Sequence, residues 1–376
     1  MVRLKIWLSV LALVFILVCL AYYYGQQIVP YFFQPTITSV KAGATQRSSQ
    51  PETVVENLTV PWELVFLPNG DLLITERPGR LKQLGKLTKT NIIPNVVQIG
   101  EGGLLGMALD PQFSQNRYLY LYLTTRKQGK LINEIVRYRY DPHGALSDET
   151  IIFSNIPAAR FHNGGRIAFG PDGYLYVTTG DALSRNLAQN KHSLAGKILR
   201  ITTEGESAPE NPFNSAVYSY GHRNPQGLAW DNLGQLWETE HGESAHDEIN
   251  LIKPGKNYGW PVIQGDETKP GMVTPVLNSG KNETWAPGGA TVINQNLFFA
   301  GLRGQAVYQA TFSDDQQTIQ ALIGHYRKQF GRIRAVVKGP DGYLYFMTSN
   351  QDGRGWPQKN DDRILKINPK ALTNHE

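Results

Sequence analysis

Cysteine is all but missing from this chain of 376 residues: the one present, Cys19, lies inside an apolar N-terminal run. The rest of the chain therefore has no disulfide, no cysteine-ligated metal and no cysteine nucleophile, and is held by its core alone. Charge is sparse too, at 18%, and the formal net charge of +5 is scattered along the chain. Without a basic stripe to track a phosphate backbone, no nucleic acid partner is expected. Long stretches of 3.6-residue periodicity are missing after residue 50, which argues against a helical bundle. There is no P-loop and no G-x-S-x-G elbow. The glycine-rich Gly100-Glu101-Gly102-Gly103-Leu104-Leu105-Gly106 lacks G-x-G-x-x-G spacing and a following helix, so a Rossmann nucleotide site is rejected.

What the chain does have is turn formers and aromatics. It carries 37 Gly and 22 Pro, above ordinary usage, and 10% aromatic residues, too many core formers for a disordered chain. Arg3 and Lys5 precede an uncharged apolar run over residues 6–24, close to the length that spans a bilayer as a helix. Basic residues before the run hold the N-terminus inside, so the remainder is expected on the periplasmic or extracellular side. Residues 1–25 read as an uncleaved signal anchor in the inner membrane, with a cleaved signal peptide as the alternative. Residues 26–51, rich in Gln, Ser, Thr and Pro, read as a linker.

From residue 52 onward one phrase recurs: a turn of Pro, Asp, Asn or Gly, then a short apolar or alternating strand. It reads Leu67-Pro68-Asn69-Gly70-Asp71 before Leu72, Gly170-Pro171-Asp172-Gly173 before Tyr174, and Gly339-Pro340-Asp341-Gly342 before Tyr343. Weaker copies start at Asp110, Asn232 and Asn294. Asp-Gly and Asn-Gly ahead of β-branched and aromatic residues are hairpin signals, since few residues accept positive φ cheaply. Six copies, one per four-stranded sheet, predict an all-β fold, a six-bladed β-propeller over residues 52–371 whose ring closure removes exposed edges. A pair of β-sandwiches would not explain the repeated turn.

A propeller places its chemistry on loops at one end of the channel, so function is read from the loops. Phe161-His162-Asn163-Gly164-Gly165-Arg166 sets a histidine in a polar, glycine-rich loop, where it serves either as a general base or as a turn stabiliser. Arg223 and Asn224, in Gly221-His222-Arg223-Asn224-Pro225, can fork onto an anion or a quinone oxygen, or cap backbone carbonyls; His222 reads as structural. The acidic stretch over residues 240–250 suits calcium, which takes oxygen ligands. His241 and His246 lack a third ligand at useful spacing, which argues against zinc. Arg332 and Arg334 share one face of an extended segment, and Arg303 adds a cation from the preceding repeat.

Taken in order, these loops resemble the glucose/sorbosone dehydrogenase family, the soluble quinoprotein glucose and aldose sugar dehydrogenases. The resemblance runs from Pro61-Trp62-Glu63 through the Glu101, His162 and Arg223 loops, Asp247-Glu248-Ile249-Asn250, Asn257-Tyr258-Gly259-Trp260-Pro261 and Arg332-Ile333-Arg334 to the final Gly-Pro-Asp-Gly strand. It implies a propeller that binds pyrroloquinoline quinone (PQQ) and calcium and oxidises the C1 hydroxyl of aldoses to lactones, passing electrons to an acceptor it does not name. In that resemblance His162 is the base for the C1 hydroxyl proton and Arg223 polarises the quinone oxygen. Glu101, Asn224, Arg303, Arg332 and Arg334 surround the cofactor. Carbonyls of Gly242 and Glu243 face the cofactor's calcium, and Glu248 with the Tyr258 carbonyl marks a second one.

The chain departs from the family pattern in three places. Glu101 stands for a Gln, which leaves a direct cofactor contact dependent on an Arg partner for the acid. Phe161 stands for an Asp beside the histidine, which removes a possible imidazole partner, and Arg303 stands for a Lys. The short propeller leaves little room for enclosing loops, so broad sugar specificity is expected. Two other readings are a calcium-dependent lactonase and a cofactor-free propeller that binds carbohydrate or a protein.

Overall fold

The computed structural model describes residues 50–373 together with Val14, Phe15 and Val18. The expected anchor and nearly all of the linker fall outside those residues. Among the described residues no helix is long and apolar enough to cross a membrane. The described residues form twenty-four strands in six four-stranded antiparallel sheets, arranged as the blades of a propeller. The blades run over residues 61–92, 104–157, 167–220, 225–278 and 287–325, and the sixth over 333–367. The sixth takes its outer strand from the other end of the domain: β1 (Glu52–Val55) pairs antiparallel with β24 (Ile364–Ile367). That pairing covers an edge and ties the start of the ring to its end.

The recurring phrase is the turn between the first and second strands of every blade, for example between Pro61–Phe66 and Leu72–Glu76. Its aspartates accept from the aromatic strand that follows. Tyr120 and Tyr176 hydroxyls donate to Asp110 and Asp172, Tyr345 to Asp341, and the Trp237 indole N–H to Asp231, at 2.8–3.0 Å. Gly70, Gly173, Gly234 and Gly342 sit at φ between 76° and 87°, which explains the glycine in these four copies.

The core lies between blades. Trp62, Tyr120, Tyr122, Ile167 and Leu199 form one buried cluster and Trp237, Trp285, Phe299 and Tyr308 another, with Phe299 and Tyr308 stacked at 4.9 Å. Burying each such side chain contributes about 1.5–3 kcal/mol, the only large source of stability in a domain without disulfides. Because strands alternate in direction, the phrase turns share one end of each blade. The connections after second and fourth strands come out at the other end, and they carry Glu101, His162, Arg223, Gly242, Arg303 and Arg332. Glu248 and Arg334 stand near strand starts, and Tyr258, on the connection after the fourth blade's third strand, bonds back to the Tyr220 carbonyl.

Candidate active site

Two connections build the centre of the site. His162 sits in the turn leading into the third blade, at a positive φ of 59°, where its backbone N–H donates to Glu101 Oε2 at 3.1 Å. Its Nδ1 meets Asp181 Oδ1 at 2.8 Å. Asp181 follows the strand Leu175–Thr179, and its other oxygen accepts the Trp260 indole N–H at 2.9 Å. Burial alone would raise the Asp181 carboxyl, but the bond and charge of His162, with the Trp260 N–H, hold it below the usual range. An ionised Asp181 fixes the proton on Nδ1 and leaves the lone pair on Nε2, the arrangement a general base needs. The expectation that Phe161 deprives the imidazole of a partner is therefore corrected: the carboxylate comes from the next blade. Glycine is required beneath this turn, since a Cβ on Gly180 would lie 2.0 Å from the His162 carbonyl oxygen.

Glu101 does pair with an arginine. Its Oε1 accepts Arg354 Nη1 at 2.7 Å. Burial would raise the carboxyl, but Arg354, His241 and the His162 N–H outweigh it and pull it down to about 2. Phe161 lies between cations, with the Arg354 guanidinium 5.0 Å and that of Arg160 5.8 Å from its ring centre.

The arginines converge as expected. Arg223 donates from Nη1 to the His241 carbonyl at 3.2 Å and lies 5.2 Å from the Trp260 ring centre. Burial lowers its pKa, and the charges of Asp181, Asp247, Glu101 and Glu240 oppose that. Asn224 Oδ1 accepts Gly164 N–H at 3.0 Å. Arg332 is paired with Asp352 at 2.9 Å, and Arg334 donates to Gln226 Oε1 at 2.7 Å. Burial depresses Arg334 to about 9. Burial also lowers Arg303, within reach of the charges on Asp247, Arg332 and Arg354. Arg77, buried against the Gly100 carbonyl, belongs to the same group. The Nε atoms of Arg77, Arg223 and Arg334 and the Nδ2 of Asn224 are buried without a hydrogen-bond partner, a donor set that suits a polyanionic, oxygen-rich ligand.

The loop over residues 241–247 is pinned by Asp247, which accepts from Gly242 N, Thr284 Oγ1 and the backbone N–H groups of Trp285 and Ala286 at 2.5–2.9 Å. The Glu243 side chain is half exposed and pairs with Arg185, which leaves backbone carbonyls as the ligands that this loop can offer. His241 spends Nε2 on the Pro287 carbonyl.

Behind it, Glu248 is one of three buried carboxylates. Glu238, Glu240 and Glu248 surround Asn250, whose Nδ2 lies 3.1–3.5 Å from all three. Burial and the charge of Glu240 raise Glu238 and Glu248 well above the carboxylate range, and burial raises Glu240 itself to about 7. His222, left as structural on sequence, stands here with Nδ1 3.5 Å from Glu240 Oε1; burial lowers it to about 3, so it is neutral. Its ring stacks on Tyr258 at 4.9 Å. Ligand atoms of His222, Glu238 and Glu240 lie within 4.8 Å of one another, and Glu238 Oε1, Asn250 Oδ1 and His222 Nδ1 have no hydrogen-bond partner.

With this geometry in place, the glucose/sorbosone dehydrogenase family model matches residues 58–360. The chain belongs to that family. It is 34% identical to the aldose sugar dehydrogenase YliI of Escherichia coli, over 85% of this chain and 92% of that protein. Among solved structures, a glucose dehydrogenase of Thermus thermophilus superposes with a TM-score of 0.80 at 45% identity, covering 84% of this chain and 99% of the other. The PQQ-bound aldose sugar dehydrogenase of Streptomyces coelicolor gives 0.78 at 39% identity, covering 86% and 99%. Like its family, the chain is an oxidoreductase.

Sequence reasoning missed Asp181, Arg354, Asp352 and Glu238; Glu240 lay within the acidic stretch read for calcium. Asp181 had a faint signal, a carboxylate straight after a strand and a glycine, in Thr178-Thr179-Gly180-Asp181. Arg354 and Asp352 lie in the loop before the last strand, where nothing local distinguishes them from solvated charges.

Proposed function

We propose that the chain oxidises aldose sugars at C1 to lactones, with PQQ and calcium and with broad sugar specificity. The observation that carries the reading is the His162–Asp181 pair within charge range of the Arg223 guanidinium. The fit to the cofactor rests on the unpartnered buried donors of Arg77, Arg223, Arg334 and Asn224, which match an acidic quinone better than they match water. The two-electron oxidant is the chemistry that PQQ would supply when bound.

The remaining steps belong to this chain's own residues. His162 Nε2 takes the proton of the C1 hydroxyl, while Asp181 keeps the Nδ1 proton in place and stabilises the imidazolium that forms. Arg223 presents positive charge beside it. Arg303, Arg332, Arg334, Asn224 and Arg77 bind and orient the cofactor, and Glu101, neutralised by Arg354, forms the wall next to His162. Gly242 and Glu243 carbonyls hold the cofactor's calcium. A second cation is held by Glu248 with the Tyr258 carbonyl, supported by the buried carboxyls of Glu238 and Glu240, which burial pushes toward the neutral form and which a cation would hold ionised. The protein works outside the membrane, tethered through residues 6–24 and passing electrons to a separate acceptor; Arg3 and Lys5 before the apolar run support that placement.

The test is dye-linked aldose oxidation by purified protein given PQQ and calcium. Turnover dependent on both, and reduced by orders of magnitude in His162→Ala, is the expected result. No oxidation of any pentose, hexose or disaccharide would end the proposal.

A further inference from the structure

Trp260 is almost fully buried in the first half of the connection that follows the fourth blade's third strand, Glu248–Ile252. Its backbone is fixed to the preceding blade: its N–H donates to the Gly221 carbonyl at 2.9 Å, and its carbonyl accepts Gln189 Nε2 at 2.7 Å. So held, the indole reaches three functional groups at once. Its Nε1–H donates to Asp181 Oδ2, the oxygen that His162 does not use. The Arg223 guanidinium lies 5.2 Å from its ring centre. That of Arg185, which pairs with Glu243 in the calcium loop, lies 4.6 Å away.

We infer that Trp260 is a positioning residue that sets Asp181, and through it His162, with its N–H, and sets the Arg223 guanidinium with its ring. The inference rests on the proposed function for its kinetic consequence but not for the geometry. Asp181 Oδ1 takes both His162 Nδ1 at 2.8 Å and the Leu183 N–H at 2.9 Å, and a carboxylate held through one oxygen can still turn about that oxygen. A donor on Oδ2 removes that freedom and lowers the carboxylate's basicity, which sets how tightly the Nδ1 proton is shared. Guanidiniums over an indole face are attracted by the ring quadrupole, so a cation that must otherwise be held among other cations gains a fixed seat. Both duties fall on one side chain because the connection carrying Trp260 crosses from the fourth blade to the third. Neither the His162 loop nor the Arg223 loop can supply a ring there.

The duties separate by substitution. Trp260→Phe removes the N–H and keeps a ring; Trp260→Leu removes both. In cofactor-free protein the low-field proton resonance of the His162 Nδ1–H, assigned by its loss in His162→Ala, shifts in Trp260→Phe. In the PQQ- and calcium-loaded enzyme, kcat falls about tenfold while KM and PQQ affinity stay within about twofold, and the pH profile of kcat/KM moves with it. In an Asp181→Asn background the same change has no further effect on kcat, because the N–H acts through that carboxylate. Trp260→Leu additionally weakens PQQ binding about fivefold, read by absorbance titration. If Trp260→Phe does not fold, Trp260→Leu carries the comparison of resonance and pH profile, since it too lacks the N–H. An unmoved resonance and pH profile, or full additivity with Asp181→Asn, overturns the inference. A shifted resonance in a protein that oxidises no aldose supports the coupling and sinks the proposed function instead.

Discussion

Glu101 and Arg354 stand 253 residues apart and share a 2.7 Å charged hydrogen bond that closes the site between the start of the second blade and the last loop of the sixth. The same carboxylate takes the backbone N–H of His162 on its other oxygen. One acid thus fixes the turn carrying the base to the loop carrying an arginine, and a glutamine in its place would lack the charge to hold Arg354. Arg354→Ala is expected to destabilise the protein by about 1–2 kcal/mol, less than a fully buried pair because Arg354 is 36% exposed. Glu101 is held down at about 2, so its contribution is complete above the unfolded carboxyl value of about 4.3 and is lost as pH falls toward 2. Thermal unfolding across that interval shows a steeper acid loss in the native protein than in Arg354→Ala; equal slopes would refute it.

Asp181→Asn should leave PQQ affinity nearly intact and lower kcat by about 10²–10⁴, since the amide no longer fixes the imidazole tautomer. Absorbance titration and steady-state kinetics on the same preparation separate the two. A comparable fall in affinity would show that Asp181 shapes the cofactor cavity rather than the base.

With the proposed cation among the three buried carboxylates, its removal is expected to expose the cost of burying them. Their folded pKa values are raised, Glu240 to about 7, so the folded state holds protons that the unfolded chain releases above about 4.3. Stability of chelated protein therefore falls as pH rises from about 4.5 through 7. Calcium raises the unfolding temperature more at pH 8 than at pH 5, and Glu238→Gln shrinks that difference. Calcium stabilisation independent of pH would contradict a cation among these groups.

Arg334→Gln trades stability against function. The native guanidinium is buried, pushed down to about 9, and keeps an unpartnered Nε. Replacing it leaves the unfolding temperature of cofactor-free protein unchanged or higher and weakens PQQ binding at least about tenfold. Calorimetry with and without PQQ measures both, and unaltered affinity would remove Arg334 from the cofactor's ligands.

The sequence determined the blades. Each carries, after its first strand, a turn whose Asp, Asn and Gly residues satisfy local backbone demands, and the apolar strand that follows is buried almost throughout, so six copies could be counted without knowing any partner. The same locality made the His162, Arg223 and Arg332-Ile333-Arg334 loops legible, because each is a short run of polar residues at a strand end. Ring closure decided the rest. Asp181 reaches His162 from across a blade boundary, Arg354 reaches Glu101 from the far end of the domain, and His222 joins Glu238, Glu240 and Glu248 only because neighbouring strands and blades press them together. Pairing and burial of charges depend on distances through space that no local pattern encodes, and the folded ring alone sets which charge is answered and which is left for a ligand.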